Sequence, residues 1–326
     1  MQSLSWQEQL AQAIRRPDEL LELVGLDAGS LGYSEKAIQQ FPLRVPRVFA
    51  NRIKKNDLHD PILRQIFPYL EEENDCEGFI NDPLAEANVQ PVKGLLHKYN
   101  SRVLSITTGA CAIHCRYCFR RHFPYQESSA NGEHLQQSLR YIEKDESIKE
   151  VILSGGDPLT LSDRRLIELC QSLSKIDHIK RIRFHTRIPI VLPDRLTIEL
   201  IEKLALTSKT IIFVLHINHA NEIDNAVINS IRLLQKHNIM VLNQSVLLKG
   251  VNDNVQSLIK LSECLVKNQV IPYYLHLLDS VAGAAHYNVD EQQAKKLIDT
   301  MHASVSGYLV PKLVKEEVEK PGKSLL

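Results

Sequence analysis

Arg102-Val103-Leu104-Ser105-Ile106-Thr107 leads through Thr108-Gly109-Ala110 into Cys111-Ala112-Ile113-His114-Cys115-Arg116-Tyr117-Cys118. The first run is short and largely apolar and predicts a strand; the second predicts the loop at its C-terminal end. The three thiols stand at spacings of four and three, so they cannot all pair as disulfides. A four-iron cluster usually takes four cysteine thiolates. A cluster held by this run would therefore keep one iron without a protein ligand. Such an open position is where a small molecule binds and is activated. The competing reading is zinc, with His114 or His122 as the fourth ligand. Zinc sites usually show a second cysteine pair or a distant histidine pair, and neither is present.

Working outward, the strand at 102–107 is the first of six. The others are expected at 150–154, 181–186, 210–217, 239–248 and 270–278. Helices with apolar residues at helical spacing are expected after them, at 132–144, 162–175, 194–206, 221–238, 254–268 and 289–304. Near-continuous apolar strands alternating with helices predict an α/β fold with a parallel sheet buried on both faces. Six units are too few for a closed eight-unit barrel and suit a partial (β/α)6 barrel. A doubly wound open sheet is the rival, but no G-x-G-x-x-G follows the first strand. Residues 1–95 read as an N-terminal helical domain, with Pro17 in a first turn. EEENDCEGF within it reads as a solvated acidic loop. The barrel is expected over 96–310 and a C-terminal segment over 311–326.

In parallel barrels, chemistry gathers at the C-terminal ends of the strands. The cysteines follow the first strand. Ser154-Gly155-Gly156-Asp157-Pro158 follows the second and His185-Thr186-Arg187 the third. His216-Ile217-Asn218-His219, Asn243-Gln244-Ser245, and His276 with Asp279 close the next three. Polar groups recurring in phase predict one lined mouth. Glycines 155 and 156 are expected to let the backbone approach a ligand; a plain strand-to-helix turn is the alternative.

The chain has 326 residues, with 39 Lys+Arg against 39 Asp+Glu. Zero net charge and the lack of a basic block argue against nucleic acid as the main partner. No apolar run reaches membrane-spanning length. The N-terminus is polar and amphipathic rather than a secretory signal. Cys76, Cys170 and Cys264 are scattered singly and are expected to be buried core thiols rather than disulfides, as in a reducing cytoplasm.

The cysteine run resembles the CxxxCxxC signature of the radical S-adenosylmethionine (SAM) enzymes, including the aromatic Tyr117 before the last cysteine. In that family a [4Fe-4S] cluster bound by the cysteines cleaves SAM to a 5′-deoxyadenosyl radical, and a partial barrel is the usual core. CRYCFRRHFPY, LSGGDPLTLSD, TRIPIVLPDRLT, HINHANEI, NQSVLLKGVND, PYYLHLLDS and GYLVPKLV further resemble the lysine 2,3-aminomutases over roughly residues 95–326. FPLRVPR, DPILRQIFP and GLLHKYNSR look closest to the bacterial branch that makes β-lysine for elongation factor P.

The resemblance implies an isomerase that moves the α-amino group of lysine to C3. SAM would supply the radical, and pyridoxal 5′-phosphate (PLP) would hold the migrating nitrogen. It implies Cys111, Cys115 and Cys118 as cluster ligands, and Lys323, with Lys320 as local rival, as the lysine that carries PLP. Arg102 would hold the PLP phosphate. Gly155, Gly156, Asp157, His216 and Gln244 would meet SAM. Arg120, with Arg121 as fallback, would take the substrate carboxylate, and Asp279 and Glu316 its distal ammonium. A flavodoxin- or ferredoxin-type donor, and a ligase that passes β-lysine to elongation factor P, are the implied partners; a homo-oligomer is compatible with the resemblance. The rivals are an aminomutase for glutamate or another amino acid, and a non-catalytic scaffold of the same pathway.

Overall fold

The computed structural model describes residues 4–27, 29–125, 132–318 and 320–326. Its centre is one sheet whose nine strands lie side by side in chain order. These are β1 (Leu95–Tyr99), β2 (Arg102–Thr108), β3 (Glu150–Gly155), β4 (Arg181–Thr186), β5 (Thr210–His216), β6 (Met240–Val246), β7 (Ile271–His276), β8 (Lys312–Lys315) and β9 (Ser324–Leu325). Strands β2 to β8 are parallel, and β1 and β9 pair antiparallel at the two ends. All six expected strands form. Strand-to-strand order without reversal is barrel topology, so the doubly wound alternative is excluded.

Register explains the packing. Ile182 stands opposite Val151 and Ile211, and Phe184 opposite Leu153 and Phe213. All six are buried, and the Phe184 and Phe213 rings stack with centroids 4.8 Å apart. Burying each such ring contributes roughly 1.5–3 kcal/mol. In β4 the alternate residues Arg181, Arg183 and His185 line the interior instead. The expectation of a strand apolar on both faces therefore fails for β4, whose period of two serves a polar interior.

The helices start where a side chain can accept the first free N–H groups. Ser162, Thr197, Asp224, Asn254 and Asp290 each accept from the backbone three residues on. These caps set two starts later than expected. The helix expected from 194 begins at Ile198, after a separate turn at Pro193–Arg195, and the one expected from 221 begins at Asn225.

The N-terminal stretch forms short helices α1 (Trp6–Ala11), α2 (Pro17–Leu23), α3 (Glu35–Gln40), α4 (Arg47–Ala50) and α5 (Pro61–Ile66). Pro17 occupies the first turn of α2. Ile14, Leu20, Phe49 and Ile62 join the same apolar cluster as Ile182 and Phe184. One member of the acidic loop is not solvated. Glu72 lies in a short 3-10 turn, fully buried at its side chain, between Arg116 and Arg121 at 2.6 Å each. The cations that bury it come from the cysteine loop and just beyond it, 44 and 49 residues on, which local composition does not reveal.

Candidate active site

The C-terminal strand ends open on a cavity of about 490 Å³, a size usual for small-molecule sites. The thirteen residues to which the resemblance gives a role line it: Arg102, Cys111, Cys115, Cys118, Arg120, Gly155, Gly156, Asp157, His216, Gln244, Asp279, Glu316 and Lys323; Asn218, His219, Asn243 and Ser245, expected at the same mouth, do not. The two fallbacks lie elsewhere. Lys320 is 56% exposed at its side chain and pairs with Glu317, and Arg121 is turned to Glu72.

The cysteine loop is held from behind. Arg116 donates to both carboxylate oxygens of Glu72 and to the carbonyls of Phe41 and Ala37. Tyr117 Oη meets His216 Nε2 at 2.8 Å, and Arg187 donates to it and to Cys115 Sγ, each at 2.7 Å. Burial, then repulsion by its neighbours, pushes the Cys118 thiol up to about 11; the same causes raise Cys111. Such thiols keep their protons until a metal displaces them. All three cysteines line the cavity, and thiolates are the donor type an iron–sulfur cluster takes. Neither His114 nor His122, the fourth ligands of the zinc reading, lines the cavity with the three cysteines.

Packing also requires glycine at both positions of the motif. A Cβ on Gly156 would come within 2.3 Å of the Ala110 carbonyl oxygen, and one on Gly155, at φ +115°, within 2.5 Å of that of Thr108. The glycines thus let the β3 loop close on the cysteine link, with Gly156 N–H donating to Thr108 O and Asp157 N–H to Ala110 O. The Asp157 carboxylate is spent within the protein. It accepts from Thr186 Oγ1 at 2.7 Å and from the N–H groups of Leu159, Arg187 and Ile188. Burial still raises it to about 6. Its task is to join the ends of β3 and β4.

Across the cavity Lys323 Nζ pairs with Glu316 at 2.6 Å. Glu316 also accepts from Lys98 Nζ and Tyr99 Oη, both at 2.7 Å. Burial alone would raise this carboxyl, but the Lys323 charge and these hydrogen bonds hold it near 2. Arg102 lies over the Tyr99 ring at 3.8 Å. Sequence reading missed Lys98 and Tyr99 because β1, which carries them, is too short to announce itself. Asp279 is raised to about 7, by burial first and then by Glu316 and Glu86, against the opposing charges of Lys323 and Arg120. Arg120 is buried and pairs with Glu86, which sequence reading also missed.

Two imidazole nitrogens that face no protein partner, Nε2 of His185 and of His276, are buried at residues that line the cavity. Unpaired buried polar atoms are costly, and a polar ligand would satisfy them. Together with Lys323 and the cations Lys98 and Arg102, they fit a phosphorylated carbonyl cofactor such as PLP.

These features define an enzyme of the radical SAM class, and the Radical SAM superfamily matches residues 105–261. The chain is 46% identical to L-lysine 2,3-aminomutase of Escherichia coli over 98% of its own length and 94% of that protein's. It is 45% identical to that of Buchnera aphidicola over 98% and 93% of the two lengths. Against that of Clostridium subterminale it is 33% identical over 97% of this chain and 76% of the other. The chain belongs to the lysine 2,3-aminomutase family of radical SAM enzymes.

Proposed function

We propose that the chain converts (S)-α-lysine to (R)-β-lysine as an L-lysine 2,3-aminomutase that uses SAM, a [4Fe-4S] cluster and PLP. The observation that carries this reading is the meeting of three thiols, a carboxylate-paired lysine, a buried guanidinium and a buried carboxyl in one cavity. When bound, the cluster and SAM supply a radical, and PLP carries the migrating nitrogen. Cys111, Cys115 and Cys118 hold the cluster. Gly155 and Gly156 shape the loop beside it, and His216 and Gln244 form the wall that meets SAM. Lys323 is the attachment point for PLP, Arg102 would hold its phosphate, and Glu316, steadied by Lys98 and Tyr99, holds the Lys323 ammonium when that lysine is free. Arg120 takes the substrate carboxylate, and Asp279, with Glu316, takes the distal ammonium. Two acidic groups at that end favour lysine over glutamate, whose second carboxylate they would repel.

The cellular reading follows the N-terminal likeness. A cytoplasmic enzyme, reduced by a flavodoxin- or ferredoxin-type protein, supplies β-lysine to a ligase that modifies elongation factor P. No helix among the described residues is long and apolar enough to cross a membrane. The test is anaerobic reconstitution with iron, sulfide, PLP and SAM, followed by chiral analysis of the product from labelled L-lysine. Formation of (R)-β-lysine is expected. Turnover of glutamate, or of neither amino acid, would overturn the assignment.

A further inference from the structure

Arg120 is the one guanidinium to which the proposed function gives the substrate carboxylate; the Phe119 and Phe123 rings of its own loop lie 4.8 and 6.0 Å from it, but its charge partner comes from elsewhere. Its Nε and Nη2 donate side-on to Glu86, at 2.8 Å to Oε2 and 2.6 Å to Oε1. Glu86 comes from the N-terminal stretch, in a short 3-10 turn over Glu86–Val89. The residue before it, Ala85, takes the left-handed conformation at φ +47°, and Asp82 Oδ1 accepts from the Glu86 N–H at 3.2 Å. Both members of the pair are buried and line the cavity. A guanidinium offers five N–H donors in a fixed plane. The side-on pair uses two. Among the described residues Nη1 reaches only Ser154 Oγ at 3.2 Å and the Gly155 carbonyl at 3.4 Å, long contacts at the rim of the glycine loop. The Nη1–Nη2 edge is therefore the part of Arg120 left to grip a second carboxylate in the two-bonded manner.

We propose that Glu86 is the positioning residue for Arg120: its side-on pair fixes the guanidinium plane so that the Nη1–Nη2 edge meets the substrate carboxylate. This rests on the carboxylate role given to Arg120 above. A free arginine side chain sweeps a wide arc and must be ordered when substrate binds, whereas a clamped one is ordered beforehand. Misaiming the clamp by about 1 Å can cost on the order of a hundredfold. Glu86 acts through Arg120 and needs no contact with the substrate.

The test compares L-lysine with L-lysinamide, which lacks the carboxylate, as competitors in the reconstituted enzyme. The parent is expected to prefer lysine strongly. Glu86→Ala should raise KM for lysine about tenfold or more with kcat much less affected, the pattern of lost ground-state binding. It should weaken lysinamide little, so the preference collapses. Glu86→Gln, which keeps the shape and one acceptor, should fall between, and it decides the matter if Glu86→Ala does not fold. A merely structural role would weaken both ligands alike, and that result overturns the proposal. So does an unchanged preference in both Glu86 variants while Arg120→Lys loses it. If Arg120→Lys itself keeps the preference, the carboxylate role of Arg120 fails, and the proposal falls with it.

Discussion

Asp279 is the residue on which substrate polarity turns. Its carboxyl is raised to about 7, chiefly by burial, so near neutral pH it is half protonated. Only the ionised form attracts an ammonium. The value of kcat/KM for lysine should therefore rise with pH through about 7 and level off above it. Asp279→Asn should flatten that rise. It should also lower turnover about a hundredfold or more, since an unpartnered buried charge typically costs roughly 3–5 kcal/mol. Release of 5′-deoxyadenosine uncoupled from product should survive, because Asp279 is assigned to lysine and not to SAM. The same shift has a stability consequence. The folded protein holds this proton up to about 7, whereas the ordinary carboxyl value is 3.8. Ionisation thus opposes folding progressively as pH rises from about 4 to 7, and the effect is absent below that window. The cofactor-free Asp279→Asn protein should melt higher than the parent at pH 8 and equally at pH 4. A parental melting temperature at pH 8, or β-lysine made at the parental rate, would remove Asp279 from this role.

At the scale of elements, the parallel strands were legible because each is an apolar run between turn residues, and their polar ends fell in phase. The ends of the sheet were not. Strand β1 has five residues and β9 two, too few for a pattern. Each folds back on a near neighbour in the chain, β1 on β2 and β9 on β8, and such short antiparallel returns leave no periodic signal. Yet these ends carry residues that line the cavity. Lys98 and Tyr99 arrive on β1, and Lys323 stands immediately before β9. Strand β8 extends the parallel sheet beside β7, and β9 folds back on it, with Val314 opposite Leu325. Leu326 N–H donates to Leu313 O at 3.1 Å, and its side chain packs against the cluster of Leu275, Leu277 and Leu313. The last residues thus act as a clasp that points Lys323 inward. Leu326→Asp should open the clasp while leaving β7–β8 paired. PLP titrated by absorbance should then bind at least about tenfold more weakly, a loss of ~1.4 kcal/mol, with little change in iron content. Borohydride reduction of the parent should fix PLP to Lys323; labelling of Lys320 would show that the clasp points the other lysine inward.

Across the whole molecule, the N-terminal stretch and the cysteine loop are joined by charge as well as by apolar packing. Glu72 accepts from Arg116 Nε and Nη2 and from Arg121 Nη2, at 2.6 to 2.8 Å. Arg121 continues to the carbonyls of Arg116 and Gly283, which ties the segment after β7 into the same knot. Arg187 makes a second knot behind Cys115, with Gln65 of α5 at 2.7 Å and Glu222 at 2.9 Å. Such networks are invisible along the chain, where EEE reads as surface and the arginines as spare cations. Their geometry suggests what they are for. The cysteine loop contains little regular structure, and its thiols must stay apart from one another until a cluster forms. Replacing a buried ion pair by apolar groups can be neutral, but removing one partner leaves the other charge stranded, typically at roughly 3–5 kcal/mol. Glu72→Ala strands two guanidiniums beside Cys115 and Cys118. It should lower the unfolding free energy by about that amount and reduce iron bound per chain after reconstitution, although Glu72 touches no proposed ligand. Glu72→Gln keeps an acceptor and should lose less of both. Denaturant melts and iron assays on the two variants separate the outcomes. Parental iron content in a destabilised Glu72→Ala protein would mean that the knot supports the fold and not the cluster loop.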